Sequence, residues 1–276
     1  MSCRLPRNHH THLNAHVRGF TLVELITVLV ILGIVASIGS GFIVSTIDSY
    51  DTVQKRSKLI NRGRLVIEQM TRQMRIALPN SVRVSSPSGN CVEFLPIVAG
   101  TTYLDELPDS GNLAGGVNSV TTAPFSLGLG SVNHVSVGAL DSTEIYSSGS
   151  PNGRVGAGAL GAGPIYTTVN FSGLHVFDRN SINQRIFLAD DPVRFCLIGT
   201  TLYRYSNYGL LTTALSALDP GGDTSVMAEN VGTSGQAFTL SPGSEDINAS
   251  LNISLDFTNG SNQITLSQQI LVRNVP

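Results

Sequence analysis

Arg18-Gly19-Phe20-Thr21-Leu22-Val23-Glu24-Leu25 leads into ITVLVILGIVASIGSGFIVSTI, which ends at Ile47. From Leu25 to Ile47 no residue is charged, a run of 23 residues. As a helix that run is long enough to cross a hydrocarbon core of roughly 30 Å. A secretory signal peptide needs basic residues, about 7–15 apolar residues and then a small-residue cleavage site. Here the run is longer, Glu24 sits just before it, and Val35-Ala36-Ser37 would have to be forced into a cleavage site. A plain membrane anchor accounts for the run but leaves the pattern from Gly19 to Glu24 unexplained.

That pattern, Arg18 to Glu24, resembles the type IV prepilin processing site over seven consecutive positions. The resemblance implies that a prepilin peptidase cuts between Gly19 and Phe20 on the cytoplasmic side and methylates the new N-terminus at Phe20. Cleavage then precedes the apolar helix, which stays on the mature chain. Glycine before the cut offers no side chain to obstruct the peptidase. A carboxylate at the edge of an apolar helix is costly unless paired. The family implies that Glu24 pairs with the amine of Phe20 on a neighbouring protomer; the alternative is that Glu24 rests at the headgroup level. The implied partners are other pilin or pseudopilin subunits, the prepilin peptidase, and inner-membrane lipid before assembly. The implied location is the inner membrane, single-pass with the head in the periplasm, and then a pilus or pseudopilus. One feature disagrees. Lys55, Arg56, Lys58, Arg62 and Arg64 follow the span, and counting basic flanks favours the opposite orientation. The motif takes precedence, because its peptidase site must face the cytoplasm.

Charge divides the chain the same way. Met1–Gly19 holds Arg4, Arg7 and Arg18 with no acid. Phe20–Leu78 holds seven basic residues against four acids, and from Pro79 onward seven face fifteen. The reading is a leader (1–19), a transmembrane and filament-core helix (20–47), an amphipathic helix packed on the head (48–78) and an extracytoplasmic β-rich head (79–276). The overall charge of -2 argues against nucleic acid as a partner.

No proline interrupts the chain between Arg7 and Pro79, so one helix is expected from Phe20 to Leu78. Val53, Ile60, Ile67 and Met74 recur every seven residues, with Met70 and Ala77 on the same stripe. Lys55, Lys58, Arg62, Arg72 and Arg75 take the opposite face. A coiled coil is the alternative for the stripe, but the repeat is short and contains Gly63. Gly33, Ser37, Gly41 and Ser45 lie four residues apart on one ridge, where small side chains let helices approach closely in lipid. Small residues are also common in membrane helices generally. Gly39 and Gly41 could let the helix bend, although the proline many major pilins carry in this region is absent.

The head reads as short β-runs punctuated by Gly, Pro, Asn and Asp: 91–98, 134–140, 165–171, 185–189, 193–198, 201–205, 249–257 and 263–272. Gly199-Thr200 and Asn259-Gly260 mark two hairpins. The stretch 147–164, rich in Gly, Ser and Ala, reads as a loop. The expected fold is α+β: a long N-terminal helix, membrane-spanning in its first half, packed on an antiparallel head large enough for two sheets. Cys3 falls in the leader. Cys91 and Cys196 sit in expected strands and are either a disulfide, if the head is periplasmic, or two buried thiols.

Catalytic and metal-binding patterns are sparse. Gly156-Ala157-Gly158-Ala159-Leu160-Gly161 matches GxGxxG, but neither a strand before nor a helix after frames it as a dinucleotide site. His134 and His175 belong to no metal or catalytic motif. Asp219 and Asp223 flank a Pro-Gly-Gly turn that either holds Ca²⁺ or is an ordinary acidic turn. The expectation is therefore no cofactor, no metal and no enzyme. The large head, retained Glu24 and basic stretch Arg64–Arg75 resemble minor pilins and the J-type minor pseudopilins of type II secretion, which implies a role in assembly initiation or at a filament tip. The alternatives are a tip adhesin that binds a surface or glycan and a membrane-tethered periplasmic enzyme.

Overall fold

The computed structural model of the protein describes residues 19–112, 115–216, 219–243 and 248–272. The expected leader up to Arg18, with Cys3, lies outside these residues, as do residues 273–276. The chain forms two units, one ending at Val53 and one starting at Gln54. The first contains the opening turns of helix α1 (Leu22–Met74). Its most apolar 18-residue window has a mean hydropathy of 2.6, and none of it is covered.

In the second unit α1 buries Leu59, Gly63, Val66, Ile67, Met70, Thr71 and Met74. The expected stripe shares Ile67, Met70 and Met74 with this face but not Val53, which is 66% exposed. A straight helix drifts by about 20° per heptad, so a line drawn every seven residues walks off the contact face. At Gly63 the helix comes close to the sheet. A Cβ there would collide with the Leu266 side chain and lie 3.0 Å from the Phe257 ring. The helix ends at Met74 rather than Leu78 because the next residues are recruited by the head. Leu78 N–H donates to Leu95 O, and Ile97 N–H donates to Ile76 O, both at 2.7 Å.

The head starts with β1 (Arg83–Val84) and β2 (Cys91–Phe94). It continues through β3 (Ile97–Thr102), β4 (Val117–Phe125), β5 (His134–Ser136), the short helix α2 (Ser142–Tyr146), β6 (Arg154–Gly156), β7 (Tyr166–His175) and β8 (Arg185–Ala189). Then come β9 (Val193–Ile198), β10 (Thr201–Ser206), β11 (Asp223–Glu229), β12 (Val231–Gly232), β13 (Phe238–Ser241), β14 (Ala249–Asn259) and β15 (Asn262–Val272). Among the described residues these strands form four sheets, more than the two for which the size of the head left room. One has the order β1-β2-β9-β10-β11. In the second, β14 pairs β12 and β13 as well as β15. The others are β3-β8-β5-β6 and β4-β7. The strand pairings are antiparallel, so the fold is α+β.

Both hairpins have two-residue loops. Ile198 pairs Thr201 around Gly199 (φ 60°), and Asn259 pairs Asn262 around Gly260 (φ 60°). Glycine at the first loop position, with φ above zero, is what a type II′ turn needs. The run 91–98 divides at Leu95-Pro96 into β2 and β3. The glycine-rich stretch 147–164 is not all loop, because its residues Arg154–Gly156 form β6 against β5.

β2 and β9 pair in register, Cys91 to Cys196 and Phe94 to Val193. Everything between them, β3 through β8, is thus an insertion whose two ends leave from neighbouring strands. It has its own core around Tyr103, Val135, Val169, Phe177, Ile186 and Leu188. The core beneath it joins Met70 and Met74 of α1 to Phe94, Phe195, Leu251, Ile253, Leu255 and Phe257. At the base of the insertion Cys91 and Cys196 form a disulfide, S–S 2.03 Å. Closing a loop of about 100 residues contributes up to about 4–5 kcal/mol in the chain-entropy model.

Beside the disulfide, the Glu93 carboxylate is fully buried and shared by two arginines. Arg83 Nε donates to Oε2, while Arg194 Nη2 (2.8 Å) and Tyr208 Oη (2.7 Å) donate to Oε1. Arg83 also lies 3.7 Å over the Tyr146 ring of α2, which ties the insertion to the first sheet. Burial next to Glu93 pushes the Tyr208 hydroxyl well above its usual pKa, so it stays a donor.

Candidate functional site

Gly19 and Phe20 precede the helix in non-helical backbone, and both are exposed, Phe20 at 81%. The helix starts where it does because of the next four residues. Thr21 Oγ1 accepts the Glu24 N–H at 3.2 Å, and Thr21 O accepts the Leu25 N–H at 3.2 Å. Thr21 is therefore the N-cap and Glu24 the third helical residue, the threonine-x-x-glutamate spacing of a capping box. The acid also lies in the first turn, where the helix dipole favours negative charge. The arrangement leaves the Gly19–Phe20 bond outside the hydrogen-bonded helix while fixing Glu24 inside it. The role of Thr21 was readable from that spacing.

Past Glu24, the ridge of Gly33, Ser37, Gly41 and Ser45 is uncovered, and an added Cβ at Gly33 or Gly41 would meet nothing within 4 Å. Hydroxyls along the helix return to its own carbonyls: Thr27 to Glu24 O (3.0 Å), Ser40 to Ser37 O (2.9 Å) and Ser45 to Phe42 O (3.0 Å). Such pairing lets polar side chains sit in an apolar medium without orphaned donors. The side chains beside the ridge, among them Leu29, Leu32 and Val44, are more than half exposed.

Residues 14–40 match the family model of the prokaryotic N-terminal methylation motif. The chain carries the N-terminal mark of type IV pilin-type subunits. The motif implies processing by a prepilin peptidase and assembly with other pilin subunits, and the one apolar helix is compatible with the single-pass anchor of pilins. No curated protein and no solved structure matches the chain.

The remaining candidates lie apart from this segment. Gly156 ends β6, and a Cβ at Gly158 would lie 2.8 Å from Phe171 O, so these glycines admit a neighbouring strand. Asp219 accepts the Gly221 N–H at 2.8 Å, and Asp223 accepts from Asn207 Nδ2 at 2.5 Å. Among the described residues no group of three His, Cys, Asp or Glu converges as metal ligands would. His134 Nε2 lies 3.0 Å from Asp191 Oδ1, and His175 Nε2–H donates to Asn152 O at 3.0 Å. Burial, and then Arg154, lower the His134 pKa despite the pull of Asp191; burial lowers that of His175 too.

Proposed function

We propose that this protein is a minor pilin or pseudopilin: a structural subunit, not an enzyme, that acts in filament assembly initiation or at the tip. The observation that carries the reading is a methylation motif that runs into an apolar helical stretch, none of which is covered among the described residues. In this reading a peptidase removes residues 1–19 and methylates Phe20. The segment 20–47, helical from Leu22, anchors the subunit in the inner membrane and later joins a filament core through Gly33, Ser37, Gly41 and Ser45. The segment 48–78 backs the head, which faces the periplasm. An oxidising compartment is consistent with the Cys91–Cys196 disulfide. Glu24 pairs with the Phe20 amine of the next subunit, and its position on the first turn of the capped helix keeps it near that terminus. The ending from Gln268, whose last residues lie outside the described ones, resembles the mannose-sensitive haemagglutinin pilus biogenesis proteins.

A tip adhesin is the second reading. It is favoured by the insertion between β2 and β9, a separately cored body that the sheet beneath it does not need to close. Deletion strains separate the two: loss of a primer leaves few filaments, whereas loss of an adhesin leaves normal filaments that fail to bind. Intact mass of the membrane-extracted protein tests the common core of both. It should show loss of Met1–Gly19 and one added methyl group; an uncut chain refutes the pilin reading. Glu24→Ala should abolish filament incorporation while the head keeps its melting temperature.

A further inference from the structure

Along one side of the head-backing part of α1, Arg64, Ile67, Glu68, Thr71, Arg72 and Arg75 face Leu266–Gln268 of β15 across a groove of about 520 Å³. Its floor is Ile67 and Thr71, both buried, with half-buried Leu266; its rim is exposed and carries three arginines against one glutamate. Among the described residues, no salt bridge engages the side chains of these three arginines. Two further features show that the groove is unfinished. The Thr71 hydroxyl is buried and has no hydrogen-bond partner, a state that ordinarily costs about 1–3 kcal/mol. β15 pairs β14 on one side and, among the described residues, nothing on the other. Its register, counted from the Asn259–Asn262 pair at the hairpin loop, turns the backbone N–H and C=O of Thr265, Ser267 and Gln269 outward.

We propose that this groove takes an extended acidic segment of a partner protein, which adds a strand to the free edge of β15 and sets its carboxylates against Arg64, Arg72 and Arg75. The dimensions agree. Arg64 and Arg75 are separated by about 16 Å of helix, which about five residues of strand span. The open strand edge supplies main-chain hydrogen bonds and the arginines choose the charge, the division of labour of β-augmentation. An acceptor at the inner side of such a strand is what the Thr71 hydroxyl lacks. A lipid headgroup would satisfy the arginines but leave the β15 edge and Thr71 as they are. The proposal stands on the groove and does not depend on the filament reading.

The test uses the full chain in detergent micelles and a labelled peptide of about ten residues, glutamate alternating with threonine and valine, followed by fluorescence anisotropy. The acidic peptide should bind. R72Q/R75Q, whose side chains are exposed, should weaken it by about tenfold or more. Ser267→Pro, which removes an outward N–H on an edge strand, should weaken it as well. A peptide of equal charge with proline at the alternate positions, and one with lysine for glutamate, should fail. Equal binding of the proline peptide removes the strand-addition half of the idea. No binding of the acidic peptide, indifference to R72Q/R75Q in a variant with unchanged melting, or its displacement by phosphatidylglycerol micelles overturns the proposal.

Discussion

Ile31 and Val66 lie on one continuous helix, yet the first is 61% exposed and the second 6%. The contrast holds along both stretches. Before Val53 the apolar residues surround the helix and none is covered. After Gln54 they narrow to one face, which meets β14 and β15. A helix apolar all round needs an apolar surrounding, whereas one with a single apolar face needs only a partner surface. The sheets supply that surface for the second stretch; no part of the described chain supplies anything for the first. The described chain therefore carries the whole of one environment and leaves the other to its surroundings.

Substitutions can break this contrast from either side. Met70→Ala, at a side chain with no exposure, should cost about 2–5 kcal/mol of head stability. Ile31→Ala should change it by less than about 0.5 kcal/mol; denaturant unfolding of the two variants compares them. Ile34→Lys reverses the pattern. A lysine at the centre of a spanning helix costs about 2.5–3.5 kcal/mol of insertion, so carbonate extraction should release the variant while its head melts as before. Gly63→Val should cost about 1–3 kcal/mol through overpacking against Phe257, visible as a lower melting temperature. The smallest effect is that of pH. His134 and His175 have pKa values lowered by burial in the fold, so the unfolded chain binds their protons more readily. Their contribution is fully present above the ordinary histidine range and is lost as pH falls through it toward the depressed folded values. Lowering pH from about 7.5 to about 5.5 should therefore depress the melting temperature of the head. His134→Gln with His175→Gln should flatten that slope.

What the sequence revealed follows from how local each signal is. The uncharged run, the seven-residue motif and the two glycine-marked hairpins depend on neighbours in the chain, and the α+β class could be read from them. β2 and β9 find each other across more than ninety intervening residues, and no pattern near Cys91 announces its partner. β4 is absent from the expected strands; Pro124 is unfavourable within a strand, and it is tolerated here in a two-stranded sheet where the β4–β7 register slips between Thr121 and Phe125. β11 is a polar edge strand, Asp223 to Glu229, without the alternation that marks a half-buried one. Gly63 looked like a flaw in a helical stripe, because its role depends on Leu266 and Phe257, two hundred positions away in sequence. At the N-terminal motif the cap at Thr21 went unread although its spacing to Glu24 signals one, and the exposure of Phe20 follows only from where the helix starts.

Phe94 and Val193 face each other across adjacent strands, so residues 95–192 enter and leave through a single doorway. A short turn joining those two positions would turn β2 and β9 into an ordinary hairpin, with the Cys91–Cys196 bond still spanning it. An exchange of the outer body would keep the β2–β9 ladder and its disulfide, but a replacement has to supply what Leu95 and Ile97 give the end of the helix and what Tyr146 gives Arg83. The doorway is thus the place where the molecule tolerates a change of size, and those few contacts are the terms on which it does so.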